Sequence, residues 1–296
     1  MFNQLKSFLK RYPAVVALYT AVRKRIDAVI NEARDIRDSF LLKTRKATVT
    51  PYGFTLQGSN SMHHRGMQEG SFEEEETALI RRYVSQSDVF IDVGANIGFY
   101  SCLARSLGKK VIAVEPLARN LDHLYANFIE NNWNDVEVFP VGLSDHPGLA
   151  VLYGASSTGA SLISNWAGAS QRFSRVISLS TLDVLLGERF VGKKLFIKID
   201  VEGVEYQVLL GAVKTMQMTP RPAWIIEICL NEFYPTGLNP HYASTFELFW
   251  QSGYEVRTAD RHTRLIRPAD IARWVQAGRC DSGVINYIFL PMADHA

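Results

Sequence analysis

Residues 88–101 read DVFIDVGANIGFYS: an apolar run, an aspartate, then a turn punctuated by two glycines. Val89, Phe90, Ile91 and Val93 are the β-branched and aromatic residues of a strand buried on both faces, as in a parallel sheet. Phe99, Leu103 and Leu107 continue at helical spacing. Gly94 and Gly98 thus lie between a strand and a helix, where bare backbone lets a ligand approach closely.

In the dinucleotide fingerprint G-x-G-x-x-G, the middle glycine admits a pyrophosphate. That glycine is missing from Gly94-Ala95-Asn96-Ile97-Gly98, so a ligand without phosphates suits the turn better. S-adenosylmethionine (SAM) fits, with its amino-acid end over the turn and its ammonium oriented by Asp92 through a bridging water. The next apolar run, KVIAV at Lys110–Val114, ends in Glu115, which lies 21 residues after Gly94. An acid at that place accepts hydrogen bonds from two ribose hydroxyls, in NAD and SAM alike. A purely ligand-facing Glu115 would leave thermal stability nearly unchanged on removal. The alternative is a helix N-terminal acid favoured by the macrodipole.

Through DVGANIGFYS, the VEP of residues 114–116 and IKIDVEGVEYQVLLGA at residues 197–212, the chain resembles the FkbM-type SAM-dependent methyltransferases. GSFEEEE at residues 70–76, GLSD at 142–145 and STLDVLL at 180–186 extend the resemblance, which covers about residues 53–291. It implies a class I methyltransferase fold, an α/β Rossmann-like, doubly wound, mostly parallel seven-stranded sheet. It also implies SAM as donor, a hydroxyl of a sugar, glycan or natural product as acceptor, and Glu73 of the G-x-F-E pattern as a cofactor-pocket residue. Composition and spacing alone stop at a nucleoside-binding α/β enzyme, so a Rossmann-type NAD-dependent oxidoreductase is the alternative.

The chemical centre is LFIKIDVEGVE at residues 195–205, a fourth buried strand with Asp200 at its carboxyl end. O-methylation requires an acceptor oxygen aligned with the methyl group and a base for its proton. Asp200 or Glu202 suits the base, Lys198 the positioning of the acceptor, and Glu205 the start of the following helix. The next strand, AWIIEI at residues 223–228, carries Glu227 near Asp200, a carboxylate pair that would suit Mg²⁺. Ser144 and Asp145 follow the third strand on the ligand edge, either touching adenine or forming a polar turn. Residues 154–175, rich in Ser, Gly and Ala around Trp166, read as an active-site loop or lid. Residues 72–84 read as a helix whose first-turn acids are mostly solvated, and His63 and His64 as solvated residues of a polar loop.

With 47% hydrophobic and 21% charged residues, the 296-residue chain has the composition of a soluble globular protein. Cys102, Cys229 and Cys280 are too few and too scattered for a disulfide framework, which points to a reducing cytoplasm. The first fifty residues carry a net +7 against the chain's +2, leaving −5 for the other 246. A basic helical extension over residues 1–46 is therefore expected ahead of a catalytic domain at 47–296. Its amphipathic start suits packing on the catalytic domain or on a second subunit of a homo-oligomer, ahead of peripheral contact with the inner face of a membrane. Its apolar run is too short to span one. Nucleic acid is not expected as a partner, because the main domain is mildly acidic and lacks the aromatic RNA-binding motifs.

Overall fold

The computed structural model describes residues 45–59, 62–154, 159–169, 171–235 and 237–292. The expected extension lies outside them except for its last two residues, which begin β1 (Arg45–Val49). β1 pairs antiparallel with β2 (Thr55–Gly58). Two helices follow, α1 (Met62–Glu69) and α2 (Glu74–Gln86). His64 corrects the sequence reading: it lies in α1, fully buried, with Ser59 N donating to its Nδ1 at 2.9 Å.

The alternating core then begins with β3 (Val89–Val93), α3 (Phe99–Ser106), β4 (Lys110–Val114), α4 (Ala118–Glu130) and β5 (Glu137–Phe139). β6 (Gly142–Leu143), β7 (Gly148–Tyr153) and β8 (Ser174–Ser180) leave that sheet and form their own, in the order β6-β8-β7. α5 (Leu182–Leu186) leads back to β9 (Leu195–Ile199), α6 (Glu205–Leu210), α7 (Val213–Met216) and β10 (Ala223–Glu227). The chain closes with α8 (Tyr242–Gln251), β11 (Tyr254–Thr258), β12 (Leu265–Ile266), α9 (Pro268–Ala277) and β13 (Asn286–Pro291).

The main sheet has the order β12-β11-β13-β10-β9-β3-β4-β5. β5, β4, β3, β9 and β10 are mutually parallel, and β13 inserts antiparallel between β10 and β11. Seven of these strands match the expected sheet, and the eighth, β12, is a two-residue addition at the edge. Every residue of β3 and β9 is buried. Val89, Ile91 and Val93 pack with Leu182, Val208 and Phe246 on one face, while Phe90 packs with Ile80, Leu103 and Phe128 on the other. That two-sided burial is why both strands read as continuous apolar runs. Among the described residues, no helix is long and apolar enough to cross a membrane.

The tips of β3 and β9 touch directly. Asp200 N donates to Val93 O at 3.0 Å, and a Cβ on Gly94 would overlap the Asp200 carbonyl. Gly94 also has φ +82, in the left-handed region that favours glycine. Gly192, with φ +80 and nothing within 4 Å of an added Cβ, separates the two effects. Gly192→Ala should cost about 1–2 kcal/mol, the penalty for left-handed backbone alone. Gly94→Ala should cost clearly more, and equal losses in chemical denaturation would show that the close approach is relaxed.

Candidate functional site

The loop leaving β3 is pinned to β4 before any ligand is considered. Gly94 N and Ala95 N donate to Val114 O at 2.9 and 3.1 Å. Asn96 takes φ 52, so the missing middle glycine is replaced by one of the few residue types that tolerate left-handed backbone. Its N–H donates to Glu115 Oε2 at 2.9 Å, while Glu115 Oε1 accepts from Leu117 N at 2.8 Å and Asn120 Nδ2 at 3.3 Å. Glu115 is thus a buried staple between the two strand exits as well as a cavity-lining acid. Burial pushes its carboxyl up to about 7, against the three hydrogen bonds it accepts.

β9 delivers the second group of charges. Lys198 is 4% exposed, its Nζ donates to Asp200 Oδ2 at 2.8 Å, and it lies 5.1 Å from the Tyr100 ring centroid. Asp92 is its register partner on β3. Burial alone would lower the ammonium's pKa, but the carboxylates of Asp200, Glu76, Asp92 and Glu73 outweigh it and raise it. A buried cation of this kind persists only when carboxylates surround it. Glu227, one residue past Ile199's partner on β10, faces the same space. Burial, followed by the charges of Asp200 and Glu202, raises its carboxyl well above the ordinary range.

Glu202 has a more specific task than the sequence shows. It takes φ 58, with Gly159 N donating to Oε1 at 3.0 Å and Trp166 Nε1 donating to Oε2 at 2.7 Å. The Trp166 indole lies over Gly203, where any Cβ would collide with it. Tyr234 meets the same ring edge-on at 4.8 Å and donates to Gly203 O at 2.8 Å. Gly159, Ala160, Leu162 and Ala167 therefore form part of the cavity wall, latched through Glu202. Glu205 starts α6 as expected, fully buried with Gly203 N donating to its Oε1 at 2.9 Å.

Together these elements enclose a cavity of about 470 Å³, within the roughly 300–1,000 Å³ usual for small-molecule sites. Glu73, Gly94, Asn96, Glu115, Lys198, Asp200, Glu202 and Glu227 all line it. Four expected residues lie off its lining. Asp92 sits behind the wall, accepting from Ser101 Oγ at 2.6 Å, and Gly98 caps α3 against Leu124. Ser144 donates to Asp145 Oδ1 at 3.0 Å while its own backbone joins the small sheet, so this pair behaves as the polar turn. The sequence reading does not single out Tyr100 or Asn120, though Tyr100, which donates to Glu73 Oε2 at 2.9 Å, falls within the opening motif.

The residues expected to hold Mg²⁺ do not fit it. The cation beside Asp200 is the Lys198 ammonium, and burial raises the Glu227 carboxyl well above its ordinary range, which disfavours the ionised form a hard cation needs. Among the described residues, no group of three or more His, Cys, Asp or Glu is disposed to hold a metal.

Residues 92–256, more than half of the chain, match the family model described as the methyltransferase FkbM domain. The chain is 27% identical over 256 residues to the AMB antimetabolite synthetase AmbE of Pseudomonas aeruginosa, covering 71% of this chain and 12% of that protein's length. Among solved structures it resembles an O-methyltransferase from Bacillus cereus in complex with SAH, at 15% identity and TM-score 0.38, covering 73% of this chain and 80% of that one. A precorrin-6y C5,15-methyltransferase from Geobacter metallireducens gives 12% identity and TM-score 0.37, covering 72% and 85%.

The staple role of Glu115 reverses the expectation of unchanged stability. Glu115→Ala strands Asn96 N and Leu117 N, each at a cost of about 1–3 kcal/mol, so thermal unfolding should shift down markedly. A second outcome concerns pH. Burial raises the Glu115 and Glu205 carboxyls to about 7 and about 8, above the ordinary 4.5 of the unfolded chain. The folded state therefore binds more protons, and the stability this contributes is lost as pH rises through those values. His64, lowered to about 4 by burial and by His123, acts oppositely but only below its ordinary 6.5. The melting temperature should fall between about pH 6.5 and about pH 8. Glu205→Gln, which can keep the bond from Gly203 N, should flatten the upper part of that slope.

Proposed function

The chain belongs to the FkbM methyltransferase domain family, and from that premise we propose that it moves a methyl group from SAM to a hydroxyl of a sugar, glycan or natural product. The observation that carries the reading is the single cavity with the Gly94 turn and Glu115 on one side and Lys198, Asp200 and Glu227 on the other. Donor and acceptor chemistry thereby share one cavity. The family membership displaces the dinucleotide oxidoreductase weighed as an alternative.

Bound SAM supplies an electrophilic methyl on a sulfonium. The residues on its side of the cavity are suited to hold it: the Glu115 carboxylate to take ribose hydroxyls, and Pro116, Leu143, Leu152 and Ile177 to bury a flat base. Glu115 Oε1 and Oε2 already accept protein hydrogen bonds, so the ribose adds to a fixed carboxylate rather than ordering a loose one. Little side-chain entropy is then lost on binding.

On the other side, Lys198 holds Asp200 Oδ2. That contact fixes the carboxylate and leaves Oδ1 to accept the hydroxyl proton as the acceptor oxygen becomes nucleophilic. Glu227, kept protonated by its burial, donates a hydrogen bond to an acceptor oxygen. Glu202, with both oxygens engaged, holds the wall in place and does not take the proton.

Calorimetry should show SAM binding and no comparable heat with NAD. Asp200→Asn should cut turnover by about 10²–10⁴-fold, the range for general acid–base catalysis, while SAM affinity stays near wild type. Glu202→Gln should chiefly raise the acceptor KM. Turnover would be followed as the mass gain of one methyl-for-hydrogen exchange on a panel of sugars and hydroxylated metabolites. Normal turnover by Asp200→Asn on a true acceptor would remove the base assignment and leave SAM binding standing.

A further inference from the structure

The acids at the start of α2 do not share one environment. Glu74 and Glu75 are exposed, as the sequence suggested, but Glu76 is only 6% exposed. Its carboxylate has no hydrogen bond or ion pair among the described residues. A buried carboxylate in that condition is costly unless it is neutralised or meets a partner. The nearest buried cation, Lys198, is already committed to Asp200 at 2.8 Å.

Glu76 lines a second cavity of about 660 Å³ together with Glu73, Glu74, Glu75, Glu232 and Asp260. Among the described residues, no lysine, arginine or histidine lines it. Four of the acids are already used by the protein, Glu73 through the hydrogen bond it accepts from Tyr100. Asp260 Oδ1 accepts from Thr258 Oγ1, His262 N and Thr263 N, and Glu232 Oε2 accepts from Leu230 N and Asn231 N. Glu75 lies 3.6 Å from the guanidinium of exposed Arg261. Glu76 is thus the buried acid whose charge the protein itself leaves uncompensated by direct contact. The second cavity meets the first at Glu73 and Ile285, which line both.

We propose that this groove is a subsite for an organic cation, and that the acceptor carries an ammonium or guanidinium group seated against Glu76 while its hydroxyl reaches Asp200 past Glu73 and Ile285. The acceptor's identity as a hydroxyl compound rests on the methyl-transfer reading, whereas the cation subsite does not. The ionised acids of this concave wall focus a negative potential that attracts cations and repels phosphorylated or carboxylated molecules, and an arriving cation draws Glu76 into its charged form. A compact metal ion is a poorer occupant, because no three of these side chains converge on one point. An ammonium on a carbon chain needs only one close carboxylate and the surrounding field.

The test is calorimetry on the full chain with putrescine as the probe and 1,4-butanediol as its uncharged counterpart. Putrescine should bind at least about tenfold more tightly than the diol, and Glu76→Gln should lose about tenfold or more of that affinity while SAH binding stays within about twofold. Should Glu76→Gln fail to fold, the wild-type protein decides the matter through proton release. Glu76 faces Glu73 at the start of its own helix and Lys198 and Asp200 on β9, and burial pushes its carboxyl up to about 8. A cation arriving at pH 7 must then expel a proton, so the apparent binding heat should change between buffers of different ionisation enthalpy. Equal affinity for diamine and diol, undiminished affinity in folded Glu76→Gln, or a buffer-independent heat would each overturn the proposal. Absence of SAH binding would instead count against the methyl-transfer reading and leave the putrescine result to be judged alone.

Discussion

One buried ammonium holds the site's chemistry together. Lys198 is surrounded by carboxylates from β3, the end of β9 and α2, and among the described residues it is the one lysine or arginine lining the main cavity. Without it, buried Asp92 and Glu76 would face Asp200 and Glu73 as like charges with no cation among them. With it, Asp200 keeps a carboxylate oriented toward chemistry, and Tyr100 and Glu73 acquire a fixed electrostatic neighbour. The position is dictated by the sheet: Lys198 and Asp92 are register partners on adjacent parallel strands and project to the same face.

The sequence made the donor side and the strand order legible because their signals are local. DVFIDVG and KVIAVEP are strands read from short windows, and the acid at a fixed spacing after the glycine turn follows from strand–helix–strand geometry. IKIDVEG revealed the second acidic tip in the same way. The roles that escaped are set by contacts between distant segments. Glu202 looks like a free carboxylate in sequence, yet it is occupied by Gly159 and Trp166, 43 and 36 residues away. Glu76 cannot be told from Glu74 or Glu75 by composition, and only packing decides which of the three is buried. His64 reads as a polar-loop residue because residues 62–69, MHHRGMQE, are predominantly polar, and its burial depends on Ser59 and the neighbouring hairpin.

Glu115 and Glu202 share a design in which one carboxylate both holds backbone and faces the cavity. Glu115 accepts the N–H groups of Asn96 and Leu117, Glu202 accepts those of the Gly159 backbone and the Trp166 indole, and each is raised to about 7, first of all by burial. Such groups are fixed before a ligand arrives, which favours a well-formed cavity over one assembled on binding. The same economy joins function to folding, so loss of either side chain disturbs both.

The contact between Gly94 and the Asp200 carbonyl has a further meaning for how such a protein can diversify. The donor turn and the acceptor acid meet through backbone, so the spacing between the two half-sites is set by covalent geometry and sheet register, which no side-chain exchange can stretch. Larger or differently shaped acceptors must then be accommodated by the outer walls, namely the segment latched on Glu202 and the groove beside α2. The catalytic span behaves as a fixed gauge, and only its surroundings are free to be retooled.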